Sequence, residues 1–287
     1  MESFLSQHQR QPKLYIDLPS GGKFYNEKII ENKQYVQIPV YSMTAMDEIN
    51  LKTPDALFNG IATLNVIKSC IPTILDPNEL VRYDIEYLLL AIKIASEGEK
   101  YNLETKCPSC NEENGFEVDL SLLLSKYDNM PVEHNFKIGS LSYLLQPIRY
   151  KKVTEYGLQT YNIQRQLAQI SLIENLTSIE REQKITALVQ DLSKLNNQAT
   201  IAYIASITDN TDTETNTETI SDFILNNEKL VARTILEEVK KFVNFWNFPM
   251  LPVQCQNSEC NHNYQTTITI DYTSFFDKLL STSRTLS

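Results

Sequence analysis

The chain has 287 residues, of which 42% are hydrophobic, so it can bury one large core or two smaller ones. Its formal net charge of −10 disfavours general nucleic-acid binding, which needs a basic surface to displace counterions from phosphates. No apolar run approaches the roughly 20 residues of a membrane-spanning helix, and the glutamine-rich start is unlike a signal peptide. We therefore expect a protein of a reducing cytoplasm without membrane contact.

The first half of the chain predicts a mixed domain behind a polar arm. Residues 1–13 predict a flexible N-terminal arm, and residues 14–149 predict an α+β domain. Short strands are expected at 14–18 and 35–40, on either side of a glycine turn. Helices are expected to begin at Thr44, at Asp76 and at Asp84, because capping or acidic residues occur at each of these positions.

Two short motifs in this half resemble functional sites but have simpler interpretations. The segment Ser20-Gly21-Gly22-Lys23 lacks the spacing of a phosphate-binding loop, so it is interpreted as a tight turn with a solvated lysine. Asp84 and Glu86 are two residues apart and face different directions on a helix, which argues against a catalytic carboxylate pair. Asp84 is interpreted instead as a helix cap.

The second half predicts a helical insertion over residues 150–250. Gly139-Ser140 predicts a hairpin just before it, and Thr177 with Glu180 predicts a capping box within it. Residues 209–219 contain no apolar side chain and predict a mobile polar loop, followed by one long helix over 221–246. Tyrosines recur along the first helix of the insertion and indicate either core or a protein interface: Tyr150, Tyr156 and Tyr161.

Four cysteines in two pairs are the strongest chemical signal. Cys107 and Cys110 form a CxxC knuckle, and Cys255 and Cys260 form a second one with a four-residue gap. Each knuckle leads into an alternating segment that predicts a strand, as in the two halves of a zinc ribbon. The sequence therefore predicts a structural Zn²⁺ site, and residues 251–287 are expected to complete the ribbon and end in a short helix.

Alternatives to this zinc site remain open. The four cysteines could be ordinary buried thiols, and a disulfide is disfavoured in a reducing compartment. His262 lies two residues after Cys260 and could replace it as a ligand. His8 and His134 show no ligand spacing, and Cys70 lies in an apolar segment that predicts a buried core thiol.

Several phrases, taken in order, are similar to one protein family. They are residues 18–25 (LPSGGKFY), 40–48 (VYSMTAMDE), 54–60 (PDALFNG) and 84–95 (DIEYLLLAIKIA), followed by the CxxC knuckle. In this order they resemble the baseplate hub protein family of T4-type contractile-tailed bacteriophages. The likeness is densest over residues 14–125 and returns at the C-terminal knuckle with Phe275-Phe276.

The resemblance implies a non-enzymatic role as a hub subunit or a hub assembly factor. It implies partners among other hub proteins and the tape-measure protein, and a location in the host cytoplasm during assembly and in the tail baseplate of the virion. A transient assembly chaperone, a zinc-ribbon regulator that binds nucleic acid, and a metalloenzyme are the alternatives. The expected fold is α+β, predominantly helical with short strands and a zinc-ribbon-like subdomain that a helical insertion splits.

Overall fold

The computed structural model describes residues 10–51, 60–170, 177–248 and 250–268. Within these ranges the α-helices are α1 (Ala45–Leu51), α2 (Ile61–Cys70), α3 (Arg82–Glu97), α4 (Leu120–Ser125), α5 (Tyr150–Ile170), α6 (Ser178–Ile201), α7 (Thr217–Leu225) and α8 (Lys229–Phe245). The strands are β1 (Leu14–Ile16), β2 (Ile38–Val40), β3 (Lys100–Lys106), β4 (Glu113–Asp119), β5 (His134–Ile138), β6 (Leu141–Leu145), β7 (Ile204–Thr208), β8 (Thr213–Glu214), β9 (Leu251–Gln254) and β10 (Asn263–Thr266). This content confirms the predicted α+β class, with long helices and short antiparallel strands.

The chain forms two compact units. The first contains the described residues of 1–130 and of 246–287, and the second contains residues 131–245. Three antiparallel two-stranded sheets belong to the first unit: β1–β2, β3–β4 and β9–β10. The second unit has one four-stranded antiparallel sheet in the order β5-β6-β7-β8. The predicted boundaries at residues 149 and 250 remain a prediction.

Helix α3 is the centre of the first unit. Its residues from Tyr83 to Lys93 are all buried, and three charged side chains are among them. Lys93 tolerates burial because its ammonium group contacts Glu97 at 2.5 Å. The ring of Trp246 stacks on that of Tyr83 with centroids 3.7 Å apart, which ties the return of the chain at residue 246 to this helix.

Asp84 has a different role from the predicted helix cap. Helix α3 begins at Arg82, so Asp84 lies inside its first turn. Its buried carboxylate accepts hydrogen bonds from the Ser20 hydroxyl (2.6 Å) and the Tyr25 hydroxyl (2.5 Å). The prediction was wrong because the carboxylate binds a turn far away in sequence, which no local pattern reveals.

The second unit is built on its four-stranded sheet. Strands β5 and β6 form the hairpin predicted at Gly139-Ser140, with His134 paired to Leu145 and Ile138 to Leu141. Apolar side chains of helices α7 and α8 pack against those of strands β6 and β7 and form the core of this unit. The core comprises Tyr143, Leu145, Ile201, Tyr203, Ile204, Ile207, Ile220, Ile224, Ile235, Val239 and Phe242.

The segment 150–250 is less uniformly helical than expected. It contains strands β7 and β8, and the segment 209–219, predicted to be a loop, holds β8 and the start of α7. The single helix predicted over 221–246 is two helices, because α7 ends before Asn226 and α8 begins at Lys229. The capping box of Thr177 and Glu180 is confirmed at the start of α6. The predicted C-terminal helix lies outside the described residues, as do residues 1–9 of the predicted arm.

Candidate metal centre

The two cysteine knuckles are the turns of two β-hairpins in the first unit. The first knuckle joins β3 to β4, and the last residues to pair before it are Lys106 and Glu113. The second joins β9 to β10, where Gln254 pairs with Asn263. Each pair of strands therefore holds one pair of cysteines at its end. The strands predicted around the first knuckle are confirmed, and β10 confirms the start of the strand predicted after the second.

Both knuckles close with the same backbone hydrogen bond, although their lengths differ. The amide of Cys107 donates to the carbonyl of Glu112, and the amide of Cys255 donates to the carbonyl of His262, each at 2.9 Å. The residue after the second cysteine has a left-handed backbone in both, with φ of 60° at Asn111 and 46° at Asn261. Asparagine is among the few residues besides glycine that adopt this conformation readily.

The two extra residues of the second knuckle are held by asparagine side chains. The Asn257 carboxamide accepts a hydrogen bond from the amide of Glu259 at 2.9 Å. The Asn261 side chain donates to the carbonyl of Ser258 at 2.6 Å. The four-residue gap therefore makes a wider turn, but the same backbone hydrogen bond closes it. The sulfur of Cys260 still points toward the other three cysteine sulfurs.

The four sulfur atoms meet in one cluster. The Sγ atoms of Cys107, Cys110, Cys255 and Cys260 all lie within 4.8 Å of one another. Across the two knuckles, Cys107 and Cys260 are 3.9 Å apart and Cys110 and Cys255 are 3.6 Å apart. Tetrahedral zinc with bonds of about 2.3 Å places its sulfurs roughly 3.8 Å apart, whereas a disulfide needs about 2.05 Å. The cluster could therefore hold a metal ion.

The thiols of the cluster differ in acidity. Burial raises the pKa of the Cys107 thiol, but backbone amides of Cys110 and Ser109 outweigh that effect and lower this pKa to about 7. For Cys110 the amide of Glu112 lowers the pKa, but burial and the neighbouring thiols outweigh it and raise the pKa to about 12. Four close thiols cannot all lose their protons unless a cation neutralises them. A bound metal ion would supply that positive charge.

Asn114 links the two knuckles, and sequence reasoning missed it. Its side chain is only 1% exposed, donates to the carbonyl of Glu112 at 2.9 Å and accepts from the amide of Gln256. The Gln256 side chain in turn donates to the carbonyl of Gly115 at 2.7 Å. These bonds join residues about 140 positions apart. The only local signal was a polar residue at the start of an alternating strand.

The histidines do not contribute to the cluster among the described residues. The ring of His262 stacks on that of Tyr264 with centroids 6.3 Å apart, and the fourth sulfur of the cluster is that of Cys260. His134 lies on β5 in the second unit, where its ring stacks on that of Phe136. His8 is outside the described residues.

Cys70 is a buried thiol at the end of α2, as predicted. Burial is the largest cause that raises its pKa to about 12. Such a thiol is protonated and unreactive at neutral pH.

The described helices include none that is long and apolar enough to cross a membrane.

Comparison with known proteins places both knuckles inside one family match. The model of the family described as "T4 bacteriophage base plate protein" matches residues 12–277. No curated protein and no solved structure shows a significant match to the chain.

Proposed function

Because the chain belongs to the T4 bacteriophage base plate protein family, we propose that it is a non-enzymatic structural or assembly protein of the baseplate hub of a contractile-tailed bacteriophage. The family match carries this proposal, since it spans residues 12–277 and includes both knuckles and all of the second unit. The hub is the finer assignment, and the phrases at residues 18–25 and 84–95 favour it by their resemblance to hub proteins.

The proposed mechanism is scaffolding stabilised by a structural zinc ion. Cys107, Cys110, Cys255 and Cys260 would hold the ion, and the donor set of four sulfurs in tetrahedral spacing fits Zn²⁺. A zinc ion held by these four thiolates would supply a structural crosslink, because such a ligand set leaves no position for a substrate. The hydrogen bonds of the Asn114 side chain would fix the two knuckles relative to each other, and with them the hairpins β3–β4 and β9–β10.

Two buried carboxylates of helix α3 support a non-enzymatic role. Asp84 binds the turn at Ser20, and Glu86 pairs with Arg82 at 2.8 Å on the same helix. Burial raises the pKa of Glu86 despite the pairing with Arg82, which lowers it. Both groups are engaged within the protein core, so neither lies in a cleft where a substrate could reach it.

The proposed partners are other hub proteins and the tape-measure protein, bound through helical and tyrosine-bearing surfaces. The alternative of a zinc-ribbon regulator is favoured only by the ribbon-like knuckles and is opposed by the net charge of −10. A gel shift with random-sequence DNA and RNA across a salt series tests it. Binding that weakens steeply with salt would support the regulator, and no shift would support the baseplate role.

The deciding experiment is quantitative mass spectrometry of purified mature virions beside assembly intermediates from infected cells. A fixed ratio to other baseplate proteins in both samples would identify a structural hub subunit. Presence only in the intermediates, with one dominant co-purifying partner, would identify a transient assembly chaperone. Absence from both samples would contradict the baseplate proposal.

A further inference from the structure

Helices α6, α7 and α8 line a groove on the surface of the second unit. The three helices contact one another, and the short segment 226–228 joins α7 to α8. The groove encloses about 620 Å³, and its lining extends along α8 from Lys229 to Lys240. With a rise of 1.5 Å per residue, this wall is about 16 Å long, which matches roughly three turns of another helix laid along it.

The floor of this groove is apolar. Ile224 is fully buried there, and Ala232 and Leu236 are partly buried against the core of the unit. Leu225, which also lines the groove, remains 44% exposed. The described lining residues include no aromatic ring, so the groove offers no surface on which nucleic-acid bases could stack. The floor instead suits aliphatic side chains.

Positive charge lies beside this apolar floor. Lys229, Arg233 and Lys240 line the groove and are all exposed. The one acidic residue in the lining is Glu237, and its carboxylate already pairs with Arg233 at 2.8 Å. Lys229 and Lys240 form no ion pair with a described residue. The groove therefore keeps positive charge in a chain whose net charge is −10.

The acidic residues that precede α8 in the chain lie outside the groove. Residues 209–228 contain six Asp or Glu and no Lys or Arg, yet none of the six lines it. Two of them, Glu218 and Asp222, line a different cavity of the same unit. Charge of the two signs is thus segregated on this unit, and such segregation directs an acidic partner to the basic side.

We propose that an acidic amphipathic helix of another protein docks in this groove. Its apolar side chains would cover Ile224, Leu225 and Leu236, and its carboxylates would pair with Lys229 and Lys240. This inference rests on the proposed function and deepens it, because it states the chemistry by which one partner of the baseplate protein is recognised.

Composition argues against occupants that come from this chain itself. The exposed acidic stretch 209–219 of a second copy has no apolar side chain to cover the floor of the groove. Of the segments outside the described residues, 269–287 contains two acidic and two basic residues, and 1–9 contains one acidic residue. The groove requires negative charge and apolar side chains together, which a helix of a different protein would supply.

Site-specific photocrosslinking of the full-length protein in infected cells tests this proposal. The photoreactive amino acid p-benzoylphenylalanine replaces Leu225, and the crosslinked peptides are identified by mass spectrometry. The expected product joins position 225 to a segment of another protein that has an excess of Asp and Glu and apolar residues at spacings of three and four. The matched control places the same amino acid at Leu158 of α5, which is 41% exposed and does not line the groove. This control should not give the product.

Charge reversal tests the electrostatic part of the proposal. Lys229→Glu with Lys240→Glu, added to the Leu225 crosslinking variant, should lower the crosslink yield about tenfold, because two attractive contacts become repulsive. The control is Lys137→Glu with Lys151→Glu, the same change at two exposed lysines of the unit that do not line the groove. Its yield should equal that of the parent variant. Circular dichroism and the melting temperature should be unchanged in both, since all four side chains are exposed.

Several outcomes would overturn the proposal. They are a crosslink to a second copy, to another segment of the same chain, to nucleic acid or to a partner segment without net negative charge, no crosslink at all, and equal yields in the two charge variants. A protein that is present in baseplates but lacks the expected crosslink would contradict this inference and leave the proposed function intact. Absence of the protein from both virions and assembly intermediates would contradict the proposed function itself.

Discussion

At the scale of single residues, Asp84 is a charged side chain removed completely from water. It is fully buried, and burial raises its pKa to about 6, although the hydrogen bonds from Ser20 and Tyr25 lower it. The Tyr25 hydroxyl also accepts from the amide of Val81 at 2.9 Å, so one carboxyl group organises the glycine turn and the start of α3. The buried carboxyl group is thus held by the Ser20 amide, the Ser20 hydroxyl and the Tyr25 hydroxyl.

This raised pKa predicts a pH dependence of stability. The folded carboxyl keeps its proton between about pH 4 and pH 6, where the unfolded one, with a pKa near 3.8, has lost it. The contribution of Asp84 to the free energy of unfolding is therefore greatest below pH 4. It falls by about 3 kcal/mol in total as pH rises through 6. The free energy of unfolding of the wild type, minus that of Asp84→Asn, should fall by this amount between pH 4 and 7 in urea titrations.

Taking the difference between the two proteins cancels the contributions of the other titrating groups, including the thiols of the cysteine cluster, because both proteins share them. A difference that stays constant from pH 4 to 7 would show that Asp84 is ionised throughout. A difference that rises with pH would show that its hydrogen bonds outweigh its burial.

At the scale of elements, the turn at residues 18–25 shows how one glycine can be indispensable beside another that is not. Gly22 has φ of +77°, and a Cβ there would lie 2.2 Å from Cγ of the Tyr35 ring. Gly21 has φ of +58°, but a Cβ there would meet nothing within 4 Å. The Tyr35 hydroxyl donates to the carbonyl of Tyr25 at 2.9 Å, so the ring cannot move away without breaking that bond.

We expect Gly22→Ala to lower the free energy of unfolding by about 3 kcal/mol or more, because overpacking adds to backbone strain. Gly21→Ala, as the matched control, should cost only about 1 kcal/mol from the left-handed backbone. Urea unfolding of both variants at one pH measures the difference. Equal losses would mean that the contact with Tyr35 relaxes freely.

Prediction of elements from the sequence succeeded where the signal was local. The capping box at Thr177, the hairpin at Gly139 and the paired strands around Cys107 and Cys110 all depend on residues within a few positions of each other. The prediction failed over 204–214, because the pattern was interpreted as helical up to Ile207 and as a loop over 209–219, whereas Ile204–Thr208 is a strand. Those residues pair with β6, a strand about 60 positions earlier, and that pairing decides their conformation.

At the scale of the whole molecule, the cluster of four cysteines joins the middle of the chain to its C-terminal part. Closing so long a loop costs little more than closing a short one, because the entropy grows only with the logarithm of length. Structural zinc in small peptides contributes on the order of 10 kcal/mol, which exceeds that cost. The second knuckle is therefore expected to depend on the metal for its place beside the first.

Cys107→Ser and Cys255→Ser should each reduce bound zinc from one ion per chain to none, and Cys70→Ala should leave the zinc content unchanged. Elemental analysis of the purified proteins measures this. Hydrogen exchange should then show faster exchange in β3–β4 and β9–β10, while the sheet of the second unit keeps its protection. Full zinc content and unchanged hydrogen exchange in both serine variants would refute the structural metal site. Bound iron in the wild type would show that the metal is iron and not zinc.

The sequence by itself determined the local features of this protein, such as its cysteine pairs and helix caps. The tertiary structure decided which side chains distant in sequence contact one another. Cysteine pairs, capping residues and the family phrases are readable because each depends on neighbours in the chain. The sequence also suggested a closed four-sulfur site, and the structure brings those sulfurs within 4.8 Å. Only the fold could reveal that Asp84 binds Ser20 and that Asn114 binds Gln256. Such contacts depend on distances between residues far apart in sequence, which no periodicity encodes.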